Sequence, residues 1–459
     1  MTDEDIRALR PALTRFLGQF RGFFSREPTF EHLGRYCRGL LSDLARKSVE
    51  PIALQCGVAV RTLQQFLSDH VWDHDGLLKR MQQRIVNHHL PAPSDGPEKR
   101  DELGVIGILD ETSQAKKGNK TPGVQRQHCG SLGKIENCIV TVHLAVKHGA
   151  FMAMLDSDLF IPDESWDQDR QRCRDAHIPE TIAYRSKWVM GLEQYDRAVA
   201  NGVRFDWMIF DEWYGGKPEF LFCLEDRGQN YVAEVPASFM CWTTKPKYRS
   251  LQRPYVAKRV DKTARYAAKF RRRKWRAIKL KRQTLPPQVW EVKAQQVHLA
   301  REGKPTDRTY WLIVARNIAT QETKYFLSNA PRKTSLATLL KVAFCRWNIE
   351  HAFRVAKTEI GFGHYEGRNW QGLLRHMILC QLMLLFIAEQ TNRLRGKKTG
   401  HHLGTSGLRP EHALPPLAGT EKRPDRRRSR GWSDPVPSAA ESPVAELTNE
   451  IGGEAIVAL

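Results

Sequence analysis

The spacing of apolar positions divides the chain into stretches of different period. Over residues 29–44 apolar and basic residues recur at helical spacing. Residues 50–67 continue it, with Ala53, Gly57, Val58, Leu63 and Phe66 placed as in a helix-turn-helix. That motif needs a small residue where two helices cross, a glycine at the turn and apolar residues inside the second helix. Its second helix would offer Arg61, Gln64 and Gln65 to DNA, although an ordinary helical hairpin carries the same pattern. Residues 91–100, with three prolines and a glycine, read as a linker.

Beyond the linker the period shortens. Residues 105–110 form a continuous apolar run ending in Asp110, as in a strand buried on both faces. Strands over 138–146 and 150–155, with a turn at His148-Gly149, and a helix over 186–200 closed by Asn201-Gly202 follow. Residues 205–211 repeat the first pattern, an apolar strand ending in Asp211. The order strand, strand, strand, helix, strand predicts a mixed α/β core. Further β signal falls at 231–235, 289–297, 310–315 and 324–328, and a helix is expected over 336–359. On that helix Arg346, Glu350, Phe353 and Lys357 form one stripe, flanked by an apolar strip of Ile349, Ala352 and Ala356. Taken alone, such a stripe is more often a solvated face with ion pairs than a site.

Charge changes the picture. The 459 residues carry 72 Lys+Arg against 51 Asp+Glu, a net charge of +21 and a pI near 9.7. This favours a polyanionic partner, nucleic acid before an anionic membrane. The run 377–388 is too short to span a bilayer and reads as a buried helix, so no membrane partner is expected. Residues 258–282 hold thirteen Lys/Arg against one acid, Asp261, with Tyr266, Phe270 and Trp275 interleaved. Arg271, Arg272, Arg273 and Lys274 are its densest part, and the segment reads as a phosphate-backbone surface. After Leu394 the composition turns to Gly, Pro, Arg and Ser, a basic disordered tail. No secretory signal opens the chain, and nine scattered cysteines without metal spacing suggest reduced thiols in a cytoplasmic protein.

Three carboxylates stand out by placement: Asp110, Asp211 and Glu350. An Asp closing a strand is often a turn former, yet two such strands followed by a Glu-bearing helix suit a shared divalent ion. Hard oxygen ligands favour Mg²⁺, with Mn²⁺ as a substitute, and phosphodiester chemistry uses such ions to activate a water or 3′-hydroxyl. His128, His143 and His376 are further ionisable groups near these segments.

Segments 107–112, 126–138, 160–162 with Trp166 and Asp169, 211–215 and 347–357 together resemble the DDE transposases of bacterial insertion sequences. The resemblance covers roughly residues 15–395. It implies an RNase H-like mixed sheet flanked by helices, with a β-rich insertion between the second and third acids and an all-α N-terminal domain. The expected division is a DNA-binding domain at 1–95, core at 101–235, basic insertion at 236–330, core helices at 331–395 and the tail at 396–459. It also implies that Asp110, Asp211 and Glu350 are the catalytic, metal-binding triad. Related enzymes carry a Tyr, Arg, Glu, Lys signature that Arg346, Glu350 and Lys357 match, with Ala343 at the Tyr position. Arg346 and Lys357 would contact phosphates. The implied activity is metal-dependent cleavage of element ends and joining of the 3′-hydroxyl to target double-stranded DNA by a homodimer. A nuclease of the same fold without strand transfer and an inactive transposase acting as a DNA-binding regulator are the alternatives.

Overall fold

Among the described residues, five α-helices precede the sheet: α1 (Leu9–Gly18), α2 (Glu27–Leu40), α3 (Val49–Gln55), α4 (Val60–Ser68) and α5 (His74–His89). The computed structural model describes residues 5, 7–92, 95–96, 98, 100–246, 257–280 and 288–400, the side chains of 395–400 excepted. The tail beyond residue 400 and Lys281 and Arg282 of the basic run lie outside them. Between α3 and α4, Gly57 takes φ +65°, and Val58 N–H returns to the Ala53 carbonyl at 3.0 Å, which ends α3 and turns the chain. Ile52, Ala53, Leu63, Phe66 and Leu67 face inward, as the helix-turn-helix spacing requires.

These helices do not bury their apolar faces among themselves alone. Phe16 packs on Phe386 with ring centroids 5.4 Å apart. Buried Arg375 donates to the carbonyls of Leu67 (3.0 Å), His70 (2.9 Å) and Trp72 (3.2 Å).

The sheet begins with β1 (Val105–Ala115), β2 (Gln125–Cys129), β3 (Lys134–His148) and β4 (Phe151–Leu159). Helices α6 (Arg170–Asp175) and α7 (Lys187–Ala200) lead to β5 (Trp207–Phe210), α8 (Glu212–Gly215), α9 (Pro218–Asp226) and β6 (Tyr231–Val235). β1 is antiparallel to β3 and parallel to β5, and β5 is parallel to β6. The order β4-β3-β1-β5-β6 is that of an RNase H-like core.

After β6 the chain forms the short strands β7 (Met240–Cys241) and β8 (Lys258–Arg259), then α10 (Val260–Tyr266) and α11 (Ala268–Arg271). Next come β9 (Arg276–Leu280), β10 (Gln288–Val297), the two-residue strands β11 (Ala300–Arg301) and β12 (Lys304–Pro305), β13 (Tyr310–Asn317) and β14 (Thr323–Ser328). β14 pairs with β6, and β13, β10 and β9 follow outward, so the inserted strands continue the core sheet to a basic edge.

The described residues end with α12 (Leu336–Phe344), α13 (Trp347–Thr358) and α14 (Trp370–Gly400). The helix expected over 336–359 is therefore two, broken at Cys345-Arg346, where Asn348 N–H and Nδ2 both turn back to the Cys345 carbonyl. β1 does not stop at Asp110. Its pairing with β3 runs to Ala115 opposite Cys138, and Asp110 lies just beyond the last residue paired with β5. The apolar run expected over 377–388 belongs to a longer element. Trp370–Leu394 is long and apolar enough to cross a membrane, but 72% of its most apolar window is buried, against β4, α2, α4 and α5.

Candidate active site

Two-residue periodicity sets the faces of the central strands. Leu109, Met208 and Phe210 join the core on one face, where α7 lies so close that a Cβ on Gly191 would sit 2.5 Å from Leu109. Ile106, Ile108, Ile209 and Val232 join the other core, under Leu339, Leu340, Val342, Ile349 and Phe353 of α12 and α13. Asp110, Asp211 and Glu234 continue this second face. Ile108 pairs with Ile209 at the end of the parallel ladder; Asp110 follows two residues on within β1, and Asp211 follows directly after β5, near enough for its charge to act on Asp110. Asp211 caps α8, its Oδ1 accepting from the N–H groups of Trp213 (3.0 Å) and Tyr214 (3.3 Å).

Arg346 stands at the break between α12 and α13 and points into this face. Its Nη1 donates to Asp110 Oδ2 at 3.0 Å and its Nη2 to Glu350 Oε1 at 3.2 Å, with Glu234 Oε2 at 4.0 Å from its Nε. Glu234 is also paired with Lys324 at 2.6 Å. Asp110 is buried, and burial pushes its carboxyl up to about 7; Arg346 opposes that shift and Asp211 adds to it. Burial disfavours the Arg346 charge, but Asp110, Glu350, Glu234 and Asp211 outweigh burial and raise its pKa. Glu350 is the outermost of the acids, its side chain 59% exposed against 11% for Asp110.

A second layer lies behind the acids. Lys187 Nζ, at the start of α7, donates to Glu111 Oε1 at 2.7 Å and sits 4.3 Å from the centre of the Trp213 ring. Tyr214 is fully buried, and burial and then Glu111, Asp110 and Asp211 push its hydroxyl pKa well up. Lys357, in the last turn of α13, donates to the Ser113 carbonyl of β1 at 3.0 Å. Ala343 is buried in the core beneath α12.

The other expected contacts are spread over the molecule. Arg61 and Gln64 are exposed and Gln65 half-buried on α4. Arg271, Arg272, Arg273 and Lys274 are exposed at the end of α11, close to the β9 edge. His143 is in the core, its Nε2 2.7 Å from Thr141 Oγ1, and burial with the nearby Lys357 charge lowers its pKa to about 3. His376 is likewise buried and held neutral, whereas His128 is exposed. Glu111, Lys187 and Glu234 were given no role by sequence reasoning. The available signal for Glu234 was a lone carboxylate inside the otherwise apolar strand Tyr231–Val235.

The donor chemistry fits a hard divalent ion, since every acid at this site offers only carboxylate oxygen. Among the described residues, however, no three His, Cys, Asp or Glu side chains are gathered closely enough to hold one. The charge of Asp211 acts on Asp110, and the Arg346 guanidinium bridges Asp110 and Glu350.

A mixed RNase H-like sheet with one carboxylate within β1 and another directly after the parallel strand β5 defines a class of nucleic-acid-processing enzymes. The chain belongs to the DDE superfamily endonuclease family, whose model matches residues 19–287. That segment contains Asp110 and Asp211 and ends before α13. The chain is 24% identical over 354 residues to a protein of Microchaete diplosiphon described as "Probable transposase for insertion sequence element IS701", covering 75% of this chain and 79% of that one. Among solved structures, a piggyBac transposase synaptic complex with hairpin DNA is similar at 10% identity and a TM-score of 0.38, over 86% of this chain and 74% of that one.

Proposed function

We propose that the protein is a DNA transposase that cleaves the ends of an insertion sequence and joins the freed 3′-hydroxyl to target DNA. The observation that carries this reading is the proximity of three acids: Asp110 in β1 feels the charge of Asp211, which directly follows the parallel strand β5, and Arg346 links Asp110 to Glu350. These three acids would hold Mg²⁺, or Mn²⁺ in its place. A bound ion there supplies charge neutralisation at the phosphate and an activated water. Lys357 and Arg346 hold the DNA strand by its phosphates, and Arg271, Arg272, Arg273 and Lys274 extend the contact along the sheet edge. Arg61, Gln64 and Gln65 present an exposed helix to the duplex, and two copies pair the two element ends.

The test is a set of three variants, Asp110→Asn, Asp211→Asn and Glu350→Gln. Each should keep duplex DNA binding and lose Mg²⁺-dependent cleavage; full cleavage by any one removes that residue from the triad. Incubating the protein with a pre-cleaved end and a target plasmid separates a transposase from a nuclease. Joined product supports strand transfer, and its absence despite cleavage supports the nuclease. Tight binding with no cleavage by the unaltered protein points to a regulator.

A further inference from the structure

The position of Arg346 is at odds with a simple phosphate contact. Its side chain is only 16% exposed, and its guanidinium is committed to two carboxylates that the preceding reading assigns to a metal. The planar fork of arginine suits this, because separate N–H groups can serve two carboxylates at once, as Nη1 does for Asp110 and Nη2 for Glu350. The charge count gives the reason. Glu234 is neutralised by Lys324 at 2.6 Å. Asp110, Asp211 and Glu350 remain, and among the described residues Arg346 is the one cation in ion pairs with any of them. Adjacent carboxylates, one of them buried, repel each other unless a cation lies between them.

Resting on the metal-triad reading, we propose that Arg346 is a stand-in cation: it occupies the space between Asp110 and Glu350 in the metal-free protein and is displaced when a divalent ion enters. The two cations compete for the same oxygens. Arg346 therefore keeps the acids folded in place before loading and at the same time weakens metal binding. Released from Asp110, the guanidinium is free for a phosphate, which reconciles its buried pairing with a role in holding DNA.

The experiment titrates Mn²⁺ into the full-length protein without DNA and follows free Mn²⁺ by electron paramagnetic resonance, with thermal melting in EDTA alongside. If Arg346 competes with the ion, Arg346→Gln binds Mn²⁺ about tenfold more tightly or better, and melts at a lower temperature than the unaltered protein in EDTA. Arg346→Lys, which keeps the charge, lies nearer the unaltered protein in both measurements and guards against a folding defect. Equal or weaker Mn²⁺ binding by Arg346→Gln overturns the stand-in role. If Asp110→Asn abolishes binding in the same series, the metal triad survives that result. Absence of Mn²⁺ binding from the unaltered protein and from Arg346→Gln alike overturns the triad and the stand-in role together.

Discussion

Tyr36 of α2 and His376 of α14, 340 residues apart in the chain, are joined by a 2.8 Å hydrogen bond between the tyrosine hydroxyl and Nδ1 in a buried core. The bond ties the N-terminal helices to the helix that also packs on β4. Tyr36→Phe leaves the imidazole nitrogen without a partner in a dry site, which costs about 1–3 kcal/mol. Chemical unfolding should show that loss as a lower midpoint. Because the helices and the sheet share one core, fluorescence and far-ultraviolet circular dichroism should report a single coincident transition.

The same histidine makes stability depend on pH. Burial, and then the nearby Lys116 charge, lowers the His376 pKa to about 3, while an unfolded histidine titrates near 6.5. Between these values the unfolded chain binds the extra proton, so stability rises with pH. The contribution is complete above about pH 6.5 and is lost as pH falls toward 3. Melting curves at about pH 7.5 and about pH 5 should therefore differ less for His376→Gln than for the unaltered protein. An equal difference in both would remove His376 from the effect.

Much of this architecture was legible in the sequence. Continuous apolar runs ending in Asp110 and Asp211 mark strands buried on both faces, and a period of two then sets Asp110 on the face that α12 and α13 cover. The extent of β1 was not legible, because residues 111–114 are polar and are strand only through their pairing with β3. Nor was the break at Arg346: the stripe from Arg346 to Lys357 has helical spacing whether or not α12 and α13 are continuous. The continuation of the sheet through β14, β13, β10 and β9 depends on pairing between distant segments, about which local periodicity says nothing. Glu111 was passed over because a charged residue beside a candidate ligand carries no signal until Lys187, far along the chain, is brought to it.

That contact supports a prediction of its own. Lys187→Ala leaves the half-buried Glu111 carboxylate without its 2.7 Å partner. Double-mutant cycles with Glu111→Gln should give a coupling of about 1 kcal/mol or more, above the level of exposed pairs. Both side chains are half-buried, so a coupling near zero would mean that solvent screens them fully.

The basic edge near β9 is tested by salt. Replacing Arg271, Arg272, Arg273 and Lys274 together by alanine removes up to four phosphate contacts. The slope of log K against log salt should then fall by up to about 0.9 per lost contact. An unchanged slope places the DNA elsewhere on the molecule. The substitutions are at exposed positions, so melting temperature should hardly change.

Gly215 offers the sharpest link between packing and the acids. It ends α8, the short helix that Asp211 caps, and a Cβ there would lie 1.9 Å from the Glu234 carbonyl oxygen and 3.0 Å from its carbon. Both atoms are backbone of β6, a strand held on both sides by β5 and β14, so the strand cannot yield cheaply. In Gly215→Ala the helix must move instead, at a cost of about 1–3 kcal/mol. The N–H groups of Trp213 and Tyr214 that fix Asp211 move with it. DNA binding at the distant basic edge should persist while cleavage falls at least about tenfold, the sensitivity expected when a reacting group shifts by a fraction of an ångström. Gly18→Ala is the control, because a Cβ at the exposed end of α1 meets nothing within 4 Å and should leave both stability and cleavage intact. Cleavage by Gly215→Ala at the level of Gly18→Ala would show that Asp211 does not depend on α8 for its position.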